Sequence, residues 1–457
     1  MEEIGGVNNT MNQTIVLFDD YEMGSQNLHT SLLLAGYDFP VVVIEDDGFL
    51  PSEVCSVYES YLGDYANAPG SMGKPRYFNQ ITVPDYWEIS GDNRSGKIQD
   101  MNYTRGHIHY MEPKNKRLVK QVDWLDEKGV IRSSDHYNQY GFLFARTSYN
   151  NEGKRIVKTF FSATGKDVIT ENYATGDIML QANGVLHIFH SKTEFVLNFF
   201  RDKGWENGRI LFNSLSTPFF VSERLPQNGM QDILFWQEDP RSDVPGNMQI
   251  ILDGRAARTE KIMVQKRRSY NRFLELGVSE DKIQPLGFIY PFMKTNEHVA
   301  EALICTNSDQ VEQLETLVKA LPQMRFHVAA ITEMSQKLMR MGNYENVHLY
   351  PAAKESTFDT LFEKCDFYLD INHANEILNA VSEAFLYNQL IFGFSNTIHN
   401  WDYVAPEHIY QANDTDKLIA ELAACIEDFD LMEDHLYIQQ QFAMAEEEYS
   451  FLQEQKE

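Results

Sequence analysis

Polar side chains that could bind a ligand follow several of the apolar runs that predict buried strands. Asn213 follows the run 210–212, and Trp236 and Glu238 come at the end of the run that begins at Ile233. His373 follows a further run in the C-terminal half. Ligands bind at the carboxyl ends of the strands in open parallel sheets, so these residues are candidate ligand contacts. For His373, a hydrogen-bonded loop histidine is an equal alternative.

The residue types needed for metal or nucleophilic catalysis are not brought together by the sequence. His107 and His109 alternate on one predicted strand face without the cysteines or carboxylates that would complete a metal site. No nucleophile–base pair, P-loop or G-x-G-x-x-G motif is present. The sequence therefore predicts no metal, no cofactor and no catalytic residue. The four cysteines form no C-x-x-C pair and are predicted to be buried free thiols of a reducing compartment: Cys55, Cys305, Cys365 and Cys425.

The first seventy residues carry the pattern of a parallel sheet. The apolar run 14–18 predicts a buried strand, and Leu28, Leu32 and Ala35 recur at helical spacing before Gly36. A second buried strand is predicted at 41–44. Strand, helix and strand within about thirty residues form a βαβ unit.

A different pattern extends from residue 74 to about residue 207. Short segments of β-branched and aromatic residues are separated there by turn sequences such as Asn150-Asn-Glu-Gly153 and Asn183-Gly184. This pattern predicts an antiparallel β-meander inserted into the first α/β domain. Buried strands are then predicted to return at 210–212, 233–235, 250–252 and 262–264.

A second α/β series occupies the C-terminal half. Pro285 and Pro291 mark 277–292 as an interdomain linker, and Ser356-x-x-Asp359 resembles a capping box that would start a helix. An acidic last helix is predicted from about Asp430. Strands of this second domain are predicted at 302–305, 325–331, 347–350, 367–371 and 390–394.

The charge balance limits the possible partners. Lys and Arg total 39 against 67 Asp and Glu, which gives a formal net charge of −28. A negative field repels nucleic-acid phosphates and anionic lipid headgroups, so neither is an expected direct partner. The polar N-terminal residues lack the apolar core of a signal peptide, and no apolar run is long enough for a membrane span. We expect a cytoplasmic protein, held at most peripherally on the inner face of the membrane.

Several stretches, in order and spacing, resemble the GtfB family, the stabilising subunits of the GtfA–GtfB O-GlcNAc transferase of the accessory Sec system. The resemblance begins near residue 14 and covers nearly the whole chain. It is carried by Leu17-Phe-Asp19, Leu28-His-x-Ser31-Leu32-Leu-x-Ala35-Gly-Tyr37, Gly48-Phe-Leu-Pro51, Arg117-Leu-Val-Lys-Gln-Val-Asp-Trp-Leu-Asp126, Ile210-Leu-Phe-Asn-Ser-Leu215, Gln231-Asp-Ile-Leu-Phe-Trp-Gln-Glu238, Pro245-Gly-Asn-Met-Gln249 and Leu369-Asp-Ile-Asn-His373.

The resemblance implies an α/β fold of the GT-B type, in which an antiparallel β-meander is inserted into the first of two Rossmann-like domains. It also places acceptor contacts at the ends of first-domain strands, with Asn213, Trp236, Glu238, Asn247 and Gln249 as candidates. The expected organisation is a first domain at 14–73 and 208–290, the inserted meander at 74–207, a second domain at 291–430 and a C-terminal helix at 431–457.

Given the resemblance, the donor site of the second domain distinguishes an active enzyme from a binding subunit. GT-B enzymes hold the diphosphate of a nucleotide sugar with an Arg and a Lys, and the rest of the donor with two glutamates eight residues apart. Residues 306–312 carry two acids and no basic residue. Asn375 stands where the first glutamate belongs, and Glu376 and Glu383 are predicted to share one helix face. The degenerate donor positions are Asn372, His373, Asn375, Glu376 and Glu383, although Glu383 fits a solvated or capping helix residue equally well.

The resemblance thus implies a non-catalytic subunit that stabilises a catalytic GtfA-type glycosyltransferase and binds a serine-rich repeat adhesin before export. Two enzyme functions are alternatives. One is an active GT-B glycosyltransferase that uses a nucleotide sugar by itself, and the other, a sugar-nucleotide epimerase of GT-B type, is disfavoured by the large insert.

Overall fold

A computed structural model describes residues 13–227, 229 and 231–449. Two compact units divide the described chain: residues 13–29, 38–236 and 243–263 form the first, and 30–37, 237–242 and 264–449 form the second. The elements up to residue 264 are β1 (Thr14–Phe18), α1 (Met23–Leu34), β2 (Val41–Val43), β3 (Val54–Ser56), α2 (Glu59–Leu62), β4 (Glu88–Gly91), β5 (Ser95–Asp100), β6 (Tyr103–Tyr110), β7 (Val119–Leu125), β8 (Ile131–Tyr137), β9 (Leu143–Tyr149), β10 (Arg155–Phe161), β11 (Asp167–Asn172), β12 (Ile178–Ala182), β13 (Val185–Phe189), α3 (Lys192–Lys203), β14 (Arg209–Phe212), α4 (Thr217–Arg224), β15 (Asp232–Trp236), α5 (Gly246–Leu252) and β16 (Thr259–Val264).

A parallel sheet forms the base of the first unit. Its strands follow the order β16-β15-β14-β1-β2-β3, and β1 pairs in parallel with both β2 and β14. These strands are short runs of Val, Ile, Leu and Phe because side chains on both faces are buried. The predicted βαβ unit is confirmed.

The insert between β3 and β14 is a ten-stranded antiparallel sheet in sequence order, from β4 at one edge to β13 at the other. Its hairpins form where turn residues were predicted. Gly153 has a φ of 76°, and the Asn150 side chain accepts hydrogen bonds from the backbone N–H groups of Glu152 and Lys154. The predicted antiparallel meander is therefore confirmed.

The two faces of the inserted sheet pack differently. One face lies against elements of the same unit, where Tyr58 stacks on Phe160 with ring centroids 4.5 Å apart and Phe195 of α3 contacts Tyr58. On another part of the sheet, the segment that precedes β4 covers an apolar cluster that includes Ile98 and Ile108. Trp87, Trp124 and Leu143 at the margin of this cluster are only partly buried.

The second unit contains a doubly wound parallel sheet with the strand order β20-β19-β18-β21-β22-β23. Separate apolar clusters cover its two faces, and the strand order reverses between β18 and β21, where such sheets bind ligands. Its elements are α6 (Arg267–Glu275), β17 (Gln284–Pro285), β18 (Glu301–Cys305), α7 (Leu314–Ala320), β19 (Arg325–Ala329), α8 (Gln336–Met339), β20 (Val347–Tyr350), α9 (Glu355–Lys364), β21 (Phe367–Asp370), α10 (Ala380–Leu386), β22 (Leu390–Phe394), β23 (Ile409–Tyr410), α11 (Thr415–Glu427) and α12 (Phe429–Phe442), with short 3-10 turns at Phe78–Gln80, Lys114–Lys116, Arg340–Asn343, Pro406–His408 and Ala412–Asp414.

Two predictions of local structure, one for a strand and one for a helix start, were wrong. The run 250–252 lies in helix α5, because Met248 and Ile251 are buried at helical spacing and Pro245 occupies the N-cap. Helix α9 begins at Glu355 after Lys354 and has no side-chain cap, so Ser356 does not start a capping box.

The predicted C-terminal helix is also shorter than expected. Helix α12 ends at Phe442, and Ala445 forms a β-bridge with Phe288. The rest of the predicted helix, 450–457, lies outside the described residues. Three of the cysteines are buried free thiols as predicted, whereas Cys55 is only half-buried.

Candidate functional site

In the second unit, the strand order reverses between β18 and β21, and we call this place the switch point. The loops that follow these two strands are joined by hydrogen bonds within the chain. Thr306, directly after β18, donates a hydrogen bond of 2.7 Å from Oγ1 to Oδ1 of Asn372, which follows β21. Asn372 Nδ2 in turn donates to the carbonyl oxygen of Ala374. The backbone N–H of Glu312 donates to Ile371, which fixes the two loops against each other. Both the amide oxygen and the amide nitrogen of Asn372 thus form hydrogen bonds that stabilise these loops.

His373 is paired with an acid from the neighbouring loop. Its Nε2 lies 2.7 Å from Oε2 of Glu312, and Asn396 Nδ2 donates to the same oxygen over 3.2 Å. The imidazole is therefore hydrogen-bonded within the unit, as the structural alternative for His373 predicts. Glu312 thus places a carboxylate in 306–312, the segment for which the resemblance to GT-B enzymes led us to expect basic residues.

The buried Asp370 and the partly buried His399 form a pair that the sequence did not reveal. His399 Nδ1 lies 2.6 Å from Asp370 Oδ1, its backbone N–H donates to Oδ2, and its Nε2 lies 2.7 Å from the carbonyl oxygen of Ala374. Burial alone lowers the pKa of His399, but the hydrogen bond to Asp370 and its charge raise that pKa to about 9. His399 is therefore an imidazolium that joins the end of β21 to the following loop.

The two glutamates of the degenerate donor motif do not share a helix. Glu376 precedes α10 and accepts a 2.8 Å hydrogen bond from the backbone N–H of Val381, whereas Glu383 lies within the helix. Leu378 and Asn379 between them have φ values of 55° and 49°, which interrupts helical geometry, so the predicted common face was wrong. Burial raises the pKa of both carboxyl groups, with further contributions from Asp370 for Glu376 and from Asp359 for Glu383.

The charge around these loops is unfavourable for a diphosphate. Neither 306–312 nor 372–379 contains a Lys or Arg, and Lys337 Nζ donates to the backbone oxygen of Asp309. A neighbouring cavity of about 330 Å³, next to the ends of β18 and β19, is lined by Asp309 and Glu333. A nucleotide diphosphate placed there would meet carboxylates instead of the guanidinium and ammonium groups that bind phosphate.

The predicted acceptor residues of the first unit have distinct environments. Asn213 Nδ2 donates to Ser25 Oγ, and Asn247 Nδ2 donates to the carbonyl oxygen of Leu215, so both asparagines fix the loop that follows β14. Gln249 is exposed on α5 and bonds to Asp253. Trp236 is only 1% exposed and cannot contact a ligand directly.

Glu238 and Asn375 complete the predicted set. Glu238, in the second unit, pairs with Arg241 at 2.9 Å and remains half-exposed. Asn375 lies in the loop before α10, where its carbonyl oxygen is 3.5 Å from Asn372 Nδ2. Both residues are therefore in surface loops of the second unit.

Within the part of the chain that the structure describes, two groups of side chains have donor atoms close enough to hold a metal ion. In one, Glu301 and His327 lie near Cys365, but Glu301 is already paired with Lys364 at 2.6 Å. In the other, the donors are Glu421, Cys425 and His435. His435 bonds to Glu421 through Nε2 and to His408 through Nδ1. The carboxylate and imidazole atoms that a metal would use are therefore already engaged in contacts within the chain.

The Asp370–His399 pair predicts a pH dependence of stability. An unfolded histidine titrates near pH 6.5, whereas the pKa of the folded His399 is about 9. The stabilisation that this difference provides is complete below about pH 6.5 and is lost as pH rises through about 9. The free energy of unfolding should fall by about 2–3 kcal/mol across this interval because of His399. We expect denaturant titrations at pH 6 to 9 to show this slope in the native chain and not in His399→Gln. The exposed His190 provides the control: His190→Gln should retain the slope, and equal slopes in all three proteins would contradict the assignment.

Comparison with solved structures defines the class of protein. The S. aureus protein TarM superimposes with a TM-score of 0.50 at 10% identity, over 96% of both chains, which shows a shared fold. The two Rossmann-like units with an antiparallel insert are thus an α/β fold of the GT-B glycosyltransferase type. One chain of a crystal structure of a GtfA/B complex bound to UDP and GlcNAc matches with a TM-score of 0.88 at 42% identity, covering 94% of this chain and 96% of that one.

Sequence comparison identifies the family. The UDP-N-acetylglucosamine–peptide N-acetylglucosaminyltransferase stabilizing protein GtfB of Streptococcus pneumoniae serotype 4 is 42% identical over 94% of this chain and 96% of its own length. The chain belongs to the GtfB family. Family models for the GtfB N-terminal domain, the GtfB middle domain, the GtfB third domain and the GftB/GlyA-F C-terminal domain match residues 15–61, 87–190, 192–276 and 302–440.

Among the described residues, no helix combines the length and the apolar character needed to cross a membrane.

Proposed function

We propose that this chain is the non-catalytic, stabilising and acceptor-binding subunit of a UDP-GlcNAc:peptide O-GlcNAc transferase. Its partner is a catalytic GtfA-type subunit, and its acceptor is a serine-rich repeat adhesin that is modified on Ser or Thr before accessory Sec export. The complex works in the cytoplasm, at most peripherally on the inner face of the membrane. The relatives named as stabilizing proteins support this proposal.

The closed switch point of the second unit is the observation that carries the non-catalytic role. Asn372 and His373 are held by Thr306 and Glu312, and the surrounding loops present carboxylates without Lys or Arg. Stabilisation of a departing UDP requires preorganised positive charge, which these loops do not supply. Catalysis is therefore assigned to the partner.

The free edge of the inserted sheet supports the partner-binding role. Strand β13 pairs with β12 on one side, and no other strand among the described residues pairs with its outer side. Val185, Leu186 and Ile188 are all more than half exposed on this strand. An exposed apolar edge strand recruits another chain, and docking of the catalytic subunit would cover it.

Acceptor binding is assigned to the ends of the first-unit strands. Asn213 and Asn247 fix the loop after β14, and Gln249 is exposed beside Asn247 in the sequence. Glu238 is a further candidate contact in the second unit, whereas Trp236 can act only by supporting β15 from the core.

Co-expression tests the proposal. The catalytic subunit should be more soluble and should modify a serine-rich acceptor more heavily when this chain is present, because a partner that binds the folded state stabilises it. The chain alone should neither transfer nor hydrolyse UDP-GlcNAc. Soluble yield, acceptor mass and UDP release would be measured for each subunit alone and for the pair.

Two outcomes would contradict the proposal. An equal yield of the catalytic subunit without this chain would remove the stabilising role. Turnover by the homogeneous chain alone, lost in Glu383→Gln, would instead establish an active glycosyltransferase.

A further inference from the structure

The group formed by Glu421, Cys425 and His435 has the chemistry and the charge environment of a metal site. Its donor atoms all lie within 4.8 Å of one another. Within the described chain, no Lys or Arg pairs with Glu421, whose one ion-pair contact is with His435. In the other group, Glu301 is paired with two cationic side chains, which a metal ion would have to displace. At Glu421 a metal ion replaces only a hydrogen-bonding proton.

The helical hairpin of α11 and α12 brings the three donors together. Glu421 and Cys425 are four positions apart on α11 and therefore share one face of that helix. His435 lies on α12, which begins one residue after α11 ends. Leu422 of α11 and Leu436 of α12 belong to the same buried core cluster. Core packing thus fixes the position of each donor before any ion binds.

His408 orients the imidazole of His435. His435 Nδ1 lies 3.0 Å from Nε2 of His408, a residue that is fully buried. Burial, with a contribution from His435, lowers the pKa of His408 to about 3, so His408 is neutral and can accept a hydrogen bond. Metal-binding histidines donate their second ring N–H to such an acceptor, which fixes the tautomer. The coordinating atom is then Nε2 of His435, which faces Glu421 at 2.7 Å.

The three donor types select the metal. Zn²⁺ binds thiolate, imidazole and carboxylate, whereas Mg²⁺ and Ca²⁺ are bound by oxygen ligands. Zinc–ligand distances of about 2.0–2.3 Å place donors around a tetrahedral ion about 3.3–3.6 Å apart. The contact between Glu421 and His435 therefore has to widen by roughly half an ångström. The Glu421 side chain is 32% exposed, which leaves it room to move.

Charge and protons balance when zinc binds. Burial raises the pKa of the Cys425 thiol to about 12, with contributions from the charges of Glu421 and Asp428, so the metal-free thiol is protonated. On binding, the Sγ–metal bond forms and the thiol proton passes to solvent. His435 coordinates as the neutral imidazole with its proton on Nδ1. The thiolate and the carboxylate then neutralise the two positive charges of the ion, so no net charge is buried.

We propose that Glu421, Cys425 and His435 bind one Zn²⁺ ion that fastens α11 to α12. A water molecule completes the tetrahedral coordination. Helix α12 is in turn attached to the sheet, because the Gln439 side chain donates to the carbonyl oxygen of Gln389 and accepts from the N–H of β22 residue Ile391. An ion that binds only the folded chain stabilises it by linkage. The inference is independent of the proposed function.

Cobalt substitution in the full-length, tag-free chain tests the inference. The chain is freed of metal with a chelator and titrated with Co²⁺, which occupies the same ligands and is visible by absorption. We expect one equivalent to bind with a thiolate-to-cobalt charge-transfer band, and Zn²⁺ to displace it and remove the band. Zn²⁺ should also raise the thermal midpoint of the metal-free chain.

Three variants and a matched control locate the ligands. Cys425→Ser should lose the charge-transfer band, whereas Cys365→Ser, which removes the buried thiol of the other group, should keep it. His408→Gln should keep the band but bind Co²⁺ about tenfold more weakly, as expected for a residue that orients a ligand. Glu421→Gln should lower the affinity further, and its partly exposed side chain allows normal folding.

The result that would overturn the proposal differs for each protein. For the native chain it is the absence of Co²⁺ binding, or binding without the charge-transfer band. A band that survives in Cys425→Ser, or that disappears in Cys365→Ser instead, would assign the metal to other ligands. Unchanged affinity in Glu421→Gln would exclude the carboxylate, and circular dichroism of the metal-free variants shows that they are folded.

Discussion

Replacement of Leu186 and Ile188 by lysine should abolish copurification of the catalytic subunit with this chain. These side chains are 53% and 54% exposed on the edge strand β13, so the double variant should fold normally. In a complex that covers the edge, two ammonium groups would lose water without gaining partners. We expect the amount of catalytic subunit recovered by affinity pull-down from co-expressing cells to fall at least about tenfold, as a loss of 1.4 kcal/mol or more implies.

The control for this experiment is Tyr437→Lys, which changes a side chain of similar exposure on α12 of the second unit. It should leave the complex intact. Circular dichroism would show that both variants are folded. Full recovery of the catalytic subunit with the double variant would exclude the β13 edge as its docking site.

Much of the fold could be predicted from local sequence because its strands and turns depend on neighbouring residues. The buried strands β1, β18 and β22 are nearly continuous apolar runs, and Asn150 and Gly153 provide the hairpin conformation locally. The run 250–252 shows the limit of this reasoning. Three consecutive apolar residues suit either a strand or a buried helix, and only packing against the rest of the unit selects helix α5.

The candidate sites were less predictable because their contacts join residues far apart in the chain. Asp370 and His399 are separated by 29 positions, and Thr306 and Asn372 by 66. The lack of Lys and Arg in 306–312 is visible in the sequence. The hydrogen bonds that join the loops after β18 and β21 could not be predicted from it.

The face of the inserted sheet that carries Trp124, Asp135 and Arg146 shows the same limit in another way. Trp124, Asp135 and Arg146 come from three different strands and share one face only when the meander has its native register. A sequence pattern with a period of two places each side chain on a face, but it does not reveal which residues of neighbouring strands are opposite one another.

Substitution of Trp236 by alanine should destabilise the first unit severely. The resemblance suggested an acceptor contact at this position, but the side chain lies at the end of β15 with 1% of its surface exposed. Removal of a buried tryptophan side chain costs about 3–5 kcal/mol through lost burial and the cavity left behind. This loss is a large fraction of the roughly 5–15 kcal/mol that stabilises a typical protein. We expect a correspondingly lower denaturant midpoint, with a smaller loss in Trp236→Phe. Trp401→Ala, at a side chain that is 39% exposed, should cost much less. If Trp236→Ala were as stable as the native chain yet bound acceptor peptide more weakly, the indole would have to reach the acceptor through a rearrangement of β15, and its role would be recognition instead of support.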